Sequence, residues 1–395
     1  MNSSTQLASS TTLEPQFARY VAVRHTLHQH PELEGDTVQA AQLVAETLQH
    51  LGYTVHSHVG GHGVVGVLKK GSSNRAIALR ADMDALPIQE SNTFAHASQV
   101  PGRMHACGHD GHTAILLAAA ELIQAADFDG TVNLIFQPSE ETLTGAKKML
   151  DDGLFERFPS DAVFALHNMP GIPAGQVVAQ VGSVMASSQK VVCTLKGKAG
   201  HGAIPELAID PISALSAFIT AVQTIKSRNL AIEEHAVISI GSIHTGSTYN
   251  IIPEVVDIQL SIRTDSEAVR EKINTRLQQI LQGLELSYGI ETTLDIQFLV
   301  PPVINSVAET EQVRACLAPI FGAEQVLSHS KKLMGSEDFA WMLKEVPGCY
   351  LFLGNGEGQY YGCSLHNSHY DFNDAVLPLG AQAWKGIVEH FLKAE

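Results

Sequence analysis

At 395 residues the chain is longer than one hydrophobic core usually organises, so two domains are the default expectation. Apolar residues make up 45% and charged residues 17%, an ordinary globular balance that can bury a large core. The formal net charge of −16, with no block of lysines or arginines to offset it, excludes a phosphate backbone as partner. That acidity suits an enzyme of small molecules, although alone it speaks only for solubility.

The first stretch, Met1–Pro15, is polar and rich in Ser and Thr, with no basic segment ahead of an apolar core. Residues 1–15 therefore read as a disordered tail rather than a signal peptide. Asp36 is the expected N-cap of a helix that carries Val38, Ala41, Val44, Leu48 and Leu51 at helical spacing and is closed by Gly52. Apolar, β-branched runs at Gly63–Leu68, Ala76–Arg80, Val132–Phe136 and Ala162–Leu166 predict strands, with helices over about Gly111–Ala126 and Thr144–Asp152. Such alternation implies a parallel or mixed sheet covered on both faces. From about Ala186 the texture changes. Strand-like Lys190–Lys196, helix-like Pro211–Arg228, strands Ala236–Ser242 and Val255–Arg263, helix Glu267–Leu286 and strand Glu291–Phe298 follow in turn. That β-α-β-β-α-β order is the ferredoxin-like unit. Pro301-Pro302 reads as a linker, after which the α/β texture resumes.

The expected fold is thus α/β. A mixed-sheet catalytic domain, residues 16–186 and 301–395, is interrupted by an inserted ferredoxin-like α+β lid and dimerisation domain, residues 187–300. The lid's exposed edge strand is a ready pairing surface, so a homodimer through the lid is expected. The most apolar stretch, Thr113–Ile123, contains Glu121 and is too short to span a bilayer, so no membrane partner is expected. Five scattered cysteines with no C-x-x-C pair argue against a disulfide framework and for a reducing cytoplasm.

The densest chemistry lies in His105-Ala106-Cys107-Gly108-His109-Asp110-Gly111-His112, where two imidazoles and a thiolate within five residues of a glycine-containing turn can converge on one ion. A polar loop whose histidines bond to neighbours is the plainer alternative. Position favours the ion: in open α/β sheets ligands bind beyond the carboxyl ends of strands. Asp82 and Asp84 follow one predicted strand, Glu140 and Glu141 another, and His167 a third. Adjacent side chains of an extended Glu140-Glu141 pair would point apart, so one could ligate a metal while the other addresses its water. A solvated acidic turn is the plainer reading of that pair. Near the C-terminus, Leu365-His366-Asn367-Ser368-His369-Tyr370-Asp371-Phe372 could supply one more ligand.

Together these segments resemble the aminoacylase, hippurate hydrolase and auxin-conjugate hydrolase group, the amidohydrolase branch of the carboxypeptidase-related dinuclear metallohydrolases. The resemblance runs from about Leu27 to the C-terminus. It rests on His30-Pro31-Glu32-Leu33, Ala81–Pro87, His105–His112, Gln137–Glu141, Gly335-Ser336-Glu337-Asp338-Phe339 and His366–Phe372, in that order. It implies that Cys107, His109, Glu141, His167 and His366 ligate two divalent ions, with Mn or Zn foremost and Co or Ni also compatible. Glu140 would be the catalytic acid/base and Asp84 the carboxylate that orients a ligand. In the lid, His201 is similar to the histidine that reaches into the partner subunit's site to hold the oxyanion. Asn250 and Arg263 resemble groups that engage the substrate's amide and carboxylate. Two departures stand out: more distant relatives bridge their metals with an aspartate where this chain has Cys107 and His109, and a histidine common after the lid proline is Glu206 here.

The implied reaction is metal-dependent hydrolysis of the amide bond of an N-acyl amino acid, N-acetyl, N-benzoyl or similar, by activated water with Glu140 as base and then acid. Dipeptidase or carboxypeptidase-like cleavage is the enzymatic alternative, and Cys107 as a nucleophile a weaker one. A non-catalytic metal-binding or ligand-binding protein is the reading from another class. Glu140, the water-activating carboxylate such a protein would lose, is present.

Overall fold

The computed structural model describes residues 15–331 and 333–394. Residues 1–14, nearly all of the stretch read as a tail, lie outside the described residues. Pro15 opens helix α1, Pro15–Gln29, a position where proline's missing N–H would have no partner anyway. No helix is expected there from sequence, because its buried face is Phe17, Tyr20, Arg24, Leu27 and His28. Two ionisable side chains interrupt the apolar stripe that would reveal it. Helix α2 spans Val38–His50 and stops before Gly52, which sits at φ 85°. Asp36 is not its cap. Thr37 flanks the helix without a side-chain cap bond, and Glu32 instead accepts the Gln39 and Ala40 N–H groups at 3.0 and 2.9 Å.

The chain divides into two compact units. The first comprises Met1–Gln180, Ser306–Ser330 and Val346–Glu395. Its strands are β1 (Thr54–Val59), β2 (Gly63–Lys70), β3 (Ala76–Asp82), β4 (Gly130–Gln137), β5 (Ala162–Pro170), β6 (Val177–Val178), β7 (Val326–Leu327) and β8 (Gly348–Gly356). After α1 and α2 its main helices are α3 (His109–Ala125), α4 (Gly145–Asp151), α5 (Val307–Phe321) and α6 (Leu377–Phe391). The strands form one mixed sheet in the order β1-β2-β4-β3-β5-β8-β6-β7. The central strands β4, β3, β5 and β8 run parallel, while β1 with β2, β2 with β4 and β8 with β6 are antiparallel. All of β3 and β8 is buried, which explains their near-continuous apolar runs. Leu79, Leu134, Phe164 and Leu351 from the sheet join Leu116, Trp384 and Phe391 from α3 and α6 in one core. From β3 the chain moves to β4 on one side and then to β5 on the other, so β3 is the switch point, the place in such sheets beyond whose carboxyl end ligands bind.

The second unit comprises Val181–Asn305 and Lys331–Glu345. Four strands, Ser188–Lys196, Ala236–Thr245, Val255–Thr264 and Glu291–Val300, make an antiparallel sheet in the order second, third, first, fourth. With helices Pro211–Thr224 and Glu267–Tyr288 this is the ferredoxin-like plan. Val256, Ile258, Leu260 and Ile262 alternate inward to share a core with Phe218, Val222, Leu277 and Leu281 of the helices. Lys331–Glu345 groups with this unit rather than with the surrounding α/β texture. Its Gly335 carbonyl accepts the Ala186 N–H at 2.8 Å. The short loop-rich segment carries no periodicity that could assign it to either texture.

Arg24 and His28 bring charge into the first unit's interior. The Arg24 side chain is 0% exposed; its Nη1 donates to Asp110 Oδ2 at 3.2 Å and to Asp371 Oδ1 at 3.0 Å, and its Nε lies 2.7 Å from Asp374 Oδ1. His28 places Nδ1 2.8 Å from Asp110 Oδ2 and Nε2 3.2 Å from Glu90 Oε1. Burial opposes the imidazolium, but the Asp110 charge and the bonds to Asp110 and Glu90 outweigh it and hold His28 up at about 9. A folded value above the unfolded one, roughly 6.5, makes these contacts fully stabilising below the unfolded value. Their contribution is lost as pH rises through about 9. The stability difference between wild type and His28→Gln, measured by denaturant unfolding, is therefore predicted to be largest near about pH 6 and to shrink toward about pH 10. A constant difference would show that His28 carries no stabilising charge.

Candidate metal centre

Strands β3, β4 and β5 end side by side and deliver the first donors. Asp82 closes β3, and Asp84 follows it. Glu140 and Glu141 lie just beyond β4 in a turn rather than in extended chain. Ser139 ahead of them sits at φ 60°, a conformation sparse for a non-glycine residue, and is buried. The carboxylates of the pair therefore converge instead of pointing apart: Glu140 Oε2 and Glu141 Oε1 each lie 3.9 Å from His109 Nε2. His167 was expected just past a strand, but β5 continues to Pro170 and His167 lies within it.

The loop before α3 supplies Cys107, and His109 opens the helix. Gly108 between them is at φ 93°, where a Cβ would come within 2.3 Å of Asn168 Oδ1 and 2.4 Å of the Tyr370 hydroxyl. Only glycine fits that turn. His366 adopts φ 62° and is held beside the loop by its N–H, which donates to the Ala106 carbonyl at 2.8 Å.

The donors form two overlapping groups. Cys107, His109 and His167 offer ligand atoms within 4.8 Å of one another, as do Cys107, Glu141 and His366. The thiol of Cys107 is common to both. His109, Glu140 and Glu141 make a third group at the same edge. The two imidazoles of the first group are aimed by their partners. His167 Nδ1 lies 2.7 Å from the Asn168 carbonyl, which leaves Nε2 to face Cys107 Sγ at 3.4 Å. His109 Nδ1 lies 2.8 Å from the Asp84 carbonyl, which leaves Nε2 inward.

Asp84 organises the acidic side of the site. Its two carboxylate oxygens accept the backbone N–H groups of Glu140 and Glu141, both at 3.0 Å, and Oδ1 lies 3.4 Å from His109 Nδ1. Burial raises Asp84 above the usual carboxylate range, with the hydrogen bond and charge of His109 pulling the other way. Burial opposes a charged His109, but Asp82, the Asp84 hydrogen bond and Glu141 hold it up at about 10. That spot favours positive charge.

These residues fit a bound cation. His109 Nε2 and Glu141 Oε1 are buried without a hydrogen-bond partner, which is costly unless something else takes their lone pairs. Burial and then the Glu141, Glu140 and Asp82 carboxylates push the Cys107 thiol well up, the reverse of what a free thiolate nucleophile needs. A metal ion beside it removes that penalty, because a coordinating thiol deprotonates. Burial and the neighbouring His112 keep His167 far below its ordinary value, hence neutral and able to ligate.

Beneath the donors lies a hydrogen-bonded network that no spacing in the chain links together. Arg80 Nη1 donates to Asp82 Oδ2 at 2.7 Å, Asp82 Oδ1 lies 2.6 Å from His112 Nδ1, and His112 Nε2 accepts the Asn168 N–H at 3.0 Å. Asn168 in turn donates to the Tyr370 hydroxyl. The signal available for His112 was spacing: it follows His109 by three residues on one helix face.

The remaining candidates belong to the second unit. His201 and Asn250 are exposed: His201 pairs with Ile251 on a two-stranded ladder, and Asn250 lies in the turn just before it, where its carbonyl accepts the Gly202 N–H at 2.9 Å. Arg263 is half-buried on the strand Val255–Thr264 and hydrogen-bonds to the Ser336 hydroxyl, and burial lowers its pKa.

The sequence pattern of Peptidase family M20/M25/M40 matches residues 78–390. The chain is 40% identical over 371 residues to a hippurate hydrolase of Campylobacter jejuni, covering 94% of this chain and 96% of that one. It is 32% identical to an N-acetylcysteine deacetylase of Bacillus subtilis, covering 92% and 94%. Among solved structures, a dinuclear metal-binding peptidase of the M20 family from Bacillus subtilis superposes with a TM-score of 0.85 at 28% identity, covering 96% and 99%. With the donors gathered as described and a match across most of its length, this chain belongs to Peptidase family M20/M25/M40.

Proposed function

We propose that the chain hydrolyses the amide bond of N-acyl amino acids at a pair of divalent metal ions. The observation that carries this reading is Cys107 shared between two donor groups, with Glu140 at their edge. Cys107, His109 and His167 would hold one ion, and Cys107, Glu141 and His366 the other. Mn or Zn suits this mixed thiolate, imidazole and carboxylate set best, and Co or Ni is compatible. Hippurate and N-acetylcysteine, the substrates named for the two relatives, are both N-acyl amino acids, which supports the substrate class.

Bound there, the ions would lower the pKa of an attacking water toward neutrality. Glu140 takes one proton from that water as its oxygen bonds to the acyl carbon. The same carboxyl then gives the proton to the amine nitrogen as the C–N bond breaks, so the products are a carboxylic acid and a free amino acid. Asp84 keeps Glu140 in place through the backbone bond described above. His201 donates to the developing oxyanion, and Asn250 and Arg263 receive the substrate's amide and carboxylate. His201 does so from a second copy paired through the second unit, so the working form is a homodimer. Five free cysteines without a disulfide suit the cytoplasm.

The deciding experiment offers N-acetyl amino acids, N-benzoyl amino acids and dipeptides to the protein before and after chelation, with Mn, Zn, Co or Ni then restored. Release of free amino acid from the N-acyl substrates should vanish with chelator and return with one metal. Cleavage of dipeptides alone would replace this reading with a dipeptidase, and folded, metal-loaded protein inert on all of them would favour a non-catalytic role. Glu140→Gln should lower kcat by about 10²–10⁴-fold with metal content unchanged; activity within tenfold of wild type removes Glu140 from the acid/base role. His201→Asn should lower kcat by about 10²–10³-fold. Mixing and re-associating the Glu140→Gln and His201→Asn proteins should recover part of the wild-type rate, because a mixed dimer pairs one intact site. No recovery in dimers shown to have exchanged subunits would mean that His201 does not act across the pair.

A further inference from the structure

We infer that Arg24, far from both donor segments in sequence, is a positioning residue that sets the separation between the two halves of the metal centre; the inference rests on the two-ion reading above. The donors come from segments far apart in the chain, joined next to the ligands by one backbone bond, His366 N–H to the Ala106 carbonyl at 2.8 Å. Cys107 and His109 lie in the loop and first turn of α3, and His366 is carried by the C-terminal segment. Arg24 holds a carboxylate of each. One nitrogen, Nη1, donates both to Asp110, the residue after His109, and to Asp371, five residues beyond His366. Nε pairs with Asp374 at 2.7 Å, and Nη2 lies 2.9 Å from His96 Nε2.

The centre of the network is buried, while Asp371 and Asp374 at its edge are 18% and 25% exposed. The Arg24 and Asp110 side chains are 0% exposed, and His28 secures the Asp110 oxygen that Arg24 also grips. Asp371 is further held through its backbone, whose carbonyl accepts from Asn355 at 3.1 Å. The backbone of His366 is held at one point, by that bond to Ala106, and its side chain has few restraints. Its side chain is 52% exposed, its backbone is left-handed, and it reaches Glu141 Oε2 at 3.4 Å. Its place relative to Cys107 therefore depends on how firmly its segment is tied to the loop before α3. A guanidinium suits that tie because its donors form a rigid fork, whereas an ammonium is a point charge on a flexible stem.

The test uses Arg24→Lys, which keeps the charge and loses the fork, in the full-length protein. Equilibrium dialysis against Mn²⁺ with elemental analysis counts bound ions, and amide hydrogen exchange of the metal-free protein reports on each segment. Expected is one equivalent bound as in wild type and a second weakened at least tenfold, to the level of His366→Ala, with exchange faster across residues 366–374 and unchanged in β3–β5. Both equivalents bound as in wild type, or both weakened equally, overturns the inference. Should Arg24→Lys not fold, Asp371→Asn combined with Asp374→Asn weakens the C-terminal tie and leaves the Asp110 side intact, and it is judged by the same two outcomes. A wild-type protein that takes up no second equivalent instead overturns the two-ion reading beneath it.

Discussion

One buried carboxylate organises the centre. Asp84 accepts the backbone N–H groups of Glu140 and Glu141, and it lies against the imidazole of His109. A carboxylate taken out of water is tolerated only when its lone pairs are occupied, so the turn after β4 must present those two N–H groups to it. That requirement is met with Ser139 in a left-handed conformation and Gly145 where a Cβ would fall 1.6 Å from the Pro138 carbonyl. Acid/base candidate, ligand candidate and histidine orientation are thus set by one residue, the first two through its side chain and the last through its carbonyl.

The first unit consequently has two kinds of interior. Around the sheet's middle the core is apolar and close-packed, with Leu79, Phe164 and Trp384 excluding water. At the carboxyl ends of the strands the interior is ionic, with the Arg80–Asp82–His112 chain on one side of the donors and the Arg24–Asp110–His28 cluster on another. Such pairs give little net stability compared with apolar packing, and removing one partner costs about 3–5 kcal/mol. Their value is geometric. They hold loops from distant parts of the chain in register where apolar contacts would permit sliding, and a metal centre needs that register.

Much of this was legible in the residues. The strand and helix periodicities foretold the central sheet and the ferredoxin-like β-α-β-β-α-β series, because burial of one face leaves a repeat of two or 3.6 in the chain. Placement of Asp84, Glu140-Glu141 and His167 at or near strand ends pointed to a site at the switch point of the sheet. The misses have a common cause. Helix α1 shows no apolar stripe because Arg24 and His28 occupy its buried face, and Asp36 has the residue type of a cap although the capping carboxylate, Glu32, comes from outside the helix. Pairing between distant residues writes no periodicity into either partner.

By itself, then, the amino-acid sequence determined the kinds of donor present, the two textures of the chain and the membership of the ligand-bearing segments, since these depend on residue identity and local spacing. The tertiary structure alone decided that Cys107 stands in both donor groups, that Glu140 and Glu141 converge on His109, and that Arg24 joins Asp110 to Asp371. Those are distances between segments separated by up to hundreds of residues. They follow from how the whole sheet and its helices pack, and no local pattern encodes them.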